Sequence, residues 1–478
     1  MSTLMEPSVS SLPARYFTEI AAIPRASGHE AGIADYLESF AAARGLACYR
    51  DASCNVLIKK QGSKGREHEP ALLLQAHTDM VTEVAYATAH DFSKEGVNLQ
   101  REGNILSAKG TTLGADDGFG VALLLAALDG AADSHPPLEC LFTASEEVGL
   151  LGAAAFDYER ISARRMLNFD TSEEHLIITG CCGGIRSDLI LPVTLEKGKG
   201  EGLKLTLHGL CGGHSGSDID KGRANALVIM GKILENLQKH TPFRTVSLTG
   251  GDKDNAIPRD CEAVILPADL TAAKRFLSDT DALLSSLTSS PEDAGCALTV
   301  TDVTVSHIMT ERDSRHILDI LGVRNGVFYR RTDGIDCPET SRNLARVRTE
   351  KGEVSFGFSS RSPFPARIKE STDELDALAA RVGGRTRHYA GYPGWEGAPD
   401  SPVSTLWQRA YRATTGREIC ATVIHAGLEC GLISDKIPNL DVISVGCNIY
   451  DLHTPAERME LDSFERVYQT LLTFLREC

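Results

Sequence analysis

Between residues 71 and 170 the chain alternates short and long apolar runs. Residues 71–77 form an apolar run that predicts a strand ending at a histidine. Residues 118–129 are apolar for longer and predict a helix that starts just after Asp116-Asp117. Residues 138–144 predict a second strand, ending at Ser145-Glu146-Glu147, and residues 165–169 a third, ending at Asp170. Strands and helices in alternation, with polar residues gathered at the carboxyl ends of the strands, predict an open α/β sheet. Ligands of such sheets bind beyond those carboxyl ends.

From about residue 187 the pattern changes. Residues 187–193 and 203–210 alternate apolar and polar positions as strands do, and 223–240 has the spacing of an amphipathic helix. Strands at 245–250 and 263–266, a helix at 270–287, a long strand at 297–309 and a short helix at 314–321 follow. Residues 347–349 and 353–359 flank Glu350-Lys351-Gly352 and predict a hairpin, and 371–382 a helix. This order is that of two split β-α-β units in tandem. A Gly/Pro-rich segment at 389–399 then leads back to α/β texture: helix 402–415, strands 418–425 and 441–447, and a final helix 461–478 with Leu461, Phe464, Val467, Leu471 and Leu475 on one face. The simplest organisation is a discontinuous catalytic domain over 1–187 and 391–478, with a second, α+β domain inserted over 188–390.

At 478 residues, two domains are the expectation. The net charge of −16 comes from 49 basic and 65 acidic residues without long like-charge blocks, which argues against nucleic acid or an anionic membrane as partner. The first 15 residues lack the basic and apolar regions of a signal peptide, and no apolar run is long enough to span a bilayer. Thirteen scattered cysteines without a C-x-x-C pair predict reduced thiols and a cytoplasmic protein.

The chemistry lies in five motifs that occur in one order: His77-Thr78-Asp79, Gly114-Ala115-Asp116-Asp117-Gly118, Ser145-Glu146-Glu147-Val148-Gly149, Asn168-Phe169-Asp170-Thr171 and Asp451-Leu452-His453-Thr454. Two imidazoles and several carboxylates are the inventory for two divalent metals sharing a bridging carboxylate, with one carboxylate left as a base. His77 can ligate through one ring nitrogen while Asp79 accepts from the other. Asp116 is the candidate bridge, although an Asp there could instead cap the following helix. Of Glu146 and Glu147, one can hold a metal while the other takes a proton from the attacking water. Asp170 can complete one metal's ligands. His453 must return to the N-terminal site, or the cluster lacks its second histidine.

These motifs, together with Gln75-Ala76-His77-Thr78-Asp79-Met80-Val81, Gly212-Gly213-His214-Ser215-Gly216, Asp254-Asn255-Ala256-Ile257-Pro258-Arg259, His425-Ala426-Gly427-Leu428-Glu429-Cys430-Gly431 and His453-Thr454-Pro455, resemble the M20 metallopeptidase clan. Within it the chain is similar to the aminoacyl-histidine dipeptidase group related to carnosinases. The resemblance implies a zinc-exopeptidase-like open mixed sheet with helices on both faces, and an inserted lid of two ferredoxin-like units. It implies that His77 and Asp170 hold one zinc, Glu147 and His453 the other, and that Asp116 bridges them beside a cis peptide to Asp117. Glu146 would be the general base and Asp79 the orienting partner of His77. His214 would stabilise the oxyanion. Asn255 and Arg361 would hold the substrate's free carboxylate, Arg361 through its bidentate fork, with a backbone contact from Gly427.

The expected activity is therefore dizinc hydrolysis of dipeptides, Xaa-His types such as β-Ala-His included, by an activated water and a glutamate base. Cobalt or manganese are alternative metals. The competing readings are an N-acyl amino acid deacylase or tripeptidase of the same clan, and a metal-binding relic without activity, which the retention of Glu146 and of every ligand argues against. A homodimer through the inserted domain is also expected.

Overall fold

Helix Ala115–Leu128 is apolar on every side because every side is covered: Phe119 and all residues from Val121 to Leu128 are buried. It packs against strands Leu72–His77 and Arg165–Thr171 and against helices Leu12–Ala21 and Leu461–Glu477. A computed structural model describes residues 11–332 and 334–478, so most of the segment read for a leader lies outside the described residues. The chain falls into two units: Met1–Cys181, Trp395–Val423 and Leu428–Cys478 form one, Cys182–Gly394 and Ile424–Gly427 the other.

The first unit contains most of an eight-stranded mixed sheet. Its strand order is Ala47–Arg50, Val56–Lys60, Leu138–Thr143, Leu72–His77, Arg165–Thr171, Asp441–Gly446, Leu176–Cys181, Cys420–Ile424. The four strands from Leu138–Thr143 to Asp441–Gly446 run parallel. Register sets the site. His77 lies opposite Thr143, and Gln75 opposite Asn168, so the residues that follow all leave the sheet along one edge. Those residues are Asp79, Glu146, Glu147 and Asp170.

Several elements carry no clear signal in the apolar pattern. Helices Leu12–Ala21 and Ala31–Ala43 and strands Ala47–Arg50 and Val56–Lys60 precede the first strand assigned from sequence. A small four-stranded sheet joins Leu99–Glu102 and Ile105–Ala108 to Ile449–Tyr450 and Arg458–Glu460. Its strands are two to four residues long and partly exposed, too short for a period to show.

In the second unit a nine-stranded antiparallel sheet runs from Ala297–Met309 at one edge to Arg385–Tyr392 at the other. Strands Leu195–His208, Cys261–Pro267 and Phe243–Gly250 follow the first edge, Pro338–Glu350, Glu353–Ser362 and Gly183–Pro192 precede the second, and Gly326–Arg330 pairs beside Pro338–Glu350 as the ninth. The two halves meet at the Gly250–Val347 pair. The hairpin expected around Glu350-Lys351-Gly352 forms, with Lys351 and Gly352 both at positive φ (48° and 81°). That is the geometry of a tight two-residue turn. The helix expected over 270–287 is instead two, Leu270–Leu277 and Asp281–Leu287. Ser278 and Thr280 donate their hydroxyls to the carbonyls of Arg275 and Leu277, a local alternative to helix continuation. No helix among the described residues is long and apolar enough to cross a membrane.

Trp407 is 1% exposed, with its ring 6.4 Å from Phe169 and 5.7 Å from Phe474. Trp407→Ala should destabilise the protein by about 3–5 kcal/mol through the cavity it leaves. Urea unfolding followed by circular dichroism checks this; a loss below about 1 kcal/mol would mean that the neighbours close the cavity.

Candidate active site

The first turn of helix Ala115–Leu128 is bent out of helical geometry so that two adjacent carboxylates point to different places. Gly114 is left-handed (φ 68°, ψ 34°), and a Cβ there would lie 2.6 Å from Arg25 Nη2 and 2.7 Å from Met80 Sδ, so glycine is required. Asp116 (φ −81°, ψ 110°) is not helical, and its peptide to Asp117 is cis. Asp117 turns inward, where its carboxylate accepts the backbone N–H groups of His77 and Gly120, each at 3.1 Å. Asp116 faces outward between two imidazoles: Oδ1 is 3.0 Å from His77 Nε2, and Oδ2 is 3.3 Å from His453 Nε2.

The other acidic residues surround this bridge. His77, Asp116 and Asp170 form one group whose candidate ligand atoms lie within 4.8 Å of one another; Asp116, Glu147 and His453 form a second; His77, Glu146 and Glu147 form a third. The structure thus gathers His77, Asp116, Glu146, Glu147, Asp170 and His453 in the first unit. Asp79 lies just behind. Its Oδ1 is 3.5 Å from His77 Nδ1, a charge contact rather than a formed hydrogen bond, since that nitrogen has no hydrogen-bond partner. Asp79 does accept the backbone N–H groups of Glu146 (3.0 Å) and Glu147 (3.3 Å) and the hydroxyl of Ser27 (2.6 Å). It therefore fixes the paired glutamates as well as the imidazole.

Four carboxylates here have only the two histidines as ion-pair partners among the described residues. Burial first, then the carboxylates of Asp170, Glu147 and Glu429, push Glu146 well above the usual carboxylate range against the pull of His77. Burial and then Asp116 do the same to Asp170. Burial would also raise Asp116, but hydrogen bonds from His453 and His77 outweigh it and hold it below its ordinary value. Burial works to strip His77 of its proton, and Asp116 and Asp79 more than compensate. The hydrogen bond to Asp116, then that to Glu147, push His453 up to about 11.

This is the donor set of a cation site. Imidazole nitrogens and carboxylate oxygens converge without a lysine or arginine, and buried Glu147 Oε1 faces His453 Nε2 at 3.1 Å. The residues present fit divalent metal ions. Two such groups share Asp116.

The remaining predicted residues belong to the second unit. His214 and Asn255 are brought together by a two-stranded ladder that pairs His214 with Ala256, and Asn255 accepts the N–H of Ser215 on its carbonyl. The N–H groups of Gly216 (3.3 Å) and Ser217 (3.2 Å) point at His214 Nδ1, so Nδ1 is an acceptor and the ring proton sits on Nε2. Arg361 and Gly427 meet at Tyr392. Arg361 Nη1 donates to the Tyr392 hydroxyl at 2.9 Å, and a Cβ on Gly427 would lie 2.6 Å from the ring. Arg361 is 6% exposed, its Nε is unsatisfied, and no carboxylate pairs with it among the described residues.

Sequence reasoning missed the residues that hold the motifs in place. Glu30 accepts the N–H (2.9 Å) and hydroxyl (2.7 Å) of Ser145, whose φ is positive at 54°. Arg25 and Glu457 grip the Asp116 turn. Tyr392 lay inside the crossing segment read only as Gly/Pro-rich. None of these carries a spacing signal. Glu429 and His425, both in a motif quoted above, are buried: Glu429 accepts from Thr143 Oγ1 and Gln75 Nε2, and His425 bridges Ser341 Oγ and Cys182 Sγ.

A model of peptidase family M20/M25/M40 matches residues 73–477. The chain is 34% identical over 465 residues to the cytosol non-specific dipeptidase of Escherichia coli, covering 96% of each. Among solved structures, the aminoacylhistidine dipeptidase of Vibrio alginolyticus aligns with a TM-score of 0.84 at 30% identity, over 98% of this chain and 97% of that one. Aminopeptidase PepT of Bacillus cereus shares the fold at a TM-score of 0.58 and 15% identity, over 98% of each chain.

Metal uptake should release protons. In the metal-free protein the folded-state values of both site histidines lie above the ordinary 6.5. The stability their protons give is fully present below about pH 6.5 and lost as pH rises, for His453 through about 11. A ligand imidazole must be neutral, so binding at pH 7.5 expels those protons. Titration calorimetry in buffers of different ionisation enthalpy should show at least one proton released per ion bound; zero release would mean that the histidines are already neutral.

Proposed function

The chain belongs to peptidase family M20/M25/M40, and we propose that it is a dinuclear metallo-dipeptidase acting on free dipeptides. The observation that carries this is the Asp116 carboxylate, one oxygen toward His77 and the other toward His453, shared between two ligand groups. In this reading His77 and Asp170 hold one ion, Glu147 and His453 the other, and Asp116 both. Divalent ions bound there, zinc first and cobalt or manganese as alternatives, would polarise the scissile carbonyl and acidify a water.

The chain's own groups do the rest. Glu146 takes the proton of the attacking water and returns it to the leaving amine. Burial and its acidic neighbours raise its pKa, which favours the proton-carrying form that the second half of this cycle needs. Asp79, by accepting the N–H groups of Glu146 and Glu147, keeps ligand and base pointing apart. His214, with its proton on Nε2, donates to the developing oxyanion. Arg361, a buried guanidinium without a carboxylate of its own, takes the substrate's terminal carboxylate together with Asn255, and Gly427 gives a backbone contact.

The names of the Escherichia coli and Vibrio alginolyticus relatives favour dipeptides over longer peptides, and Xaa-His among the substrates of a broad specificity. The first of them supports a cytoplasmic setting. The inserted segment 188–390 serves in this reading as the lid and the face of a homodimer.

Metal-stripped protein, reloaded with zinc, cobalt or manganese, should cleave β-Ala-His, Gly-His and Leu-Gly but neither a tripeptide nor an N-acetyl amino acid. Cleavage of the N-acetyl amino acid alone would make the protein a deacylase. Glu146→Gln should lower kcat by about 10²–10⁴-fold while both ions stay bound. Loss of an ion in that variant would exchange the roles of Glu146 and Glu147. Arg361→Ala should raise KM for free dipeptides far more than for C-terminally amidated ones, and equal losses on both would remove it from the carboxylate role.

A further inference from the structure

Glu457 is 2% exposed, and its carboxylate makes no ion pair with a side chain among the described residues. It is spent on backbone. Oε2 accepts the N–H groups of Leu113 (2.9 Å) and Gly114 (3.0 Å), and Oε1 those of Ala115 (2.8 Å) and Asp116 (3.4 Å). Four consecutive donors of the turn that presents Asp116 thus converge on one side chain. That side chain lies four residues after His453, in the same loop.

Arg25 holds the opposite side of the turn. It is 3% exposed and donates to the carbonyls of Thr78 (3.0 Å), Asp79 (3.1 Å) and Gly114. The charges of Glu457, Asp79 and Asp117 act on it. The Gly114 residue is therefore gripped by its N–H from the His453 loop and by its carbonyl from a side chain that also binds the loop after His77. Asp116 has to sit between His77 and His453 to about hydrogen-bond accuracy, and Arg25 and Glu457 tie its turn to those two segments in particular.

We propose that Glu457 and Arg25 are positioning residues for the metal centre: acting on the backbone of the Asp116 turn, they set the spacing between the shared carboxylate and the two histidines. The inference rests on the two-ion reading above and concerns ion binding rather than the choice of substrate. Neither residue touches a reacting atom. A glutamine at 457 is isosteric but offers one acceptor and one donor, so its amide N–H₂ would face two N–H donors and the turn would shift. A lysine at 25 keeps the charge but cannot span three carbonyls with the guanidinium fork.

The test reads ions, not turnover. Holoenzyme and the variants Glu457→Gln and Arg25→Lys are equilibrated with zinc buffered by a chelator, and bound zinc is counted by elemental analysis. Cobalt-loaded samples give the absorption spectrum of the site, and circular dichroism and the Tm of the metal-free forms report the fold. Each variant should need about 10–100-fold more free zinc to hold its second ion, and should show an altered cobalt spectrum. The metal-free Tm should move far less than the metal-bound Tm. A variant that loses metal-free Tm yet binds both ions at wild-type affinity would make that residue a structural prop and overturn the proposal. Should Glu457→Gln not fold, Arg25→Lys decides alone, because the proposal requires both sides of the turn to matter. A wild-type enzyme that binds two ions but cleaves no dipeptide would overturn the substrate reading and leave this inference standing.

Discussion

A carboxylate shared between two imidazoles, with three more carboxylates facing it, is the constraint around which the first unit is built. Asp116, Glu146, Glu147 and Asp170 would repel one another in any medium, and burial makes the repulsion worse by removing the water that screens it. Two histidines cannot neutralise four acids. In the metal-free state burial and the neighbouring carboxylates raise the pKa values of Glu146 and Asp170, and the carboxylates raise those of both imidazoles. Divalent ions remove the conflict. The fold's task is to keep the conflict in place until they bind.

It does so with backbone, not with packing alone. The parallel strands end in register along one edge, but their ends only bring the motifs near one another. The side chains are aimed by irregular segments, including Ser145 and His453 at positive φ (54° and 61°) and the left-handed Gly114. Such conformations persist only when their surroundings over-determine them. Here Glu30 fixes Ser145, Asp79 fixes the two glutamates after it, and Glu457 and Arg25 fix the turn. Each of these side chains uses its charge on peptide groups, and the ligands are left to face the ions.

This division explains what could be read in the sequence. The candidate ligands occupy short contiguous motifs at the ends of apolar runs, so the order of those motifs pointed to His77, Asp116, Glu146, Glu147 and Asp170, and the need for a second imidazole to His453. The α/β class and the family were legible for the same reason. Arg25, Glu30 and Glu457 were not. A residue that binds backbone atoms needs no partner side chain, leaves no periodicity, and can lie hundreds of positions from its target, as Glu457 does from Leu113. Glu457 stands four residues after His453 and was still indistinguishable in sequence from an exposed loop acid. The helix over 270–287 failed differently: its apolar period continues across a break made by two hydroxyls bonding their own backbone.

The second unit presents the complementary problem. Among the described residues Arg361 is buried with an unsatisfied Nε, a hydrogen bond to the Tyr392 hydroxyl and no carboxylate partner. A buried unpaired cation costs several kcal/mol, on the order of the whole stability of many domains. A hydrophobic residue of that size would fill the space more stably, so stability does not explain the arginine. In the proposed reading, an anion that arrives with the substrate does. A peptide's terminal carboxylate is planar, matches the guanidinium fork, and is present on every free peptide whatever its side chains. Recognition of that group is blind to the residue that bears it, which is consistent with the broad specificity proposed above.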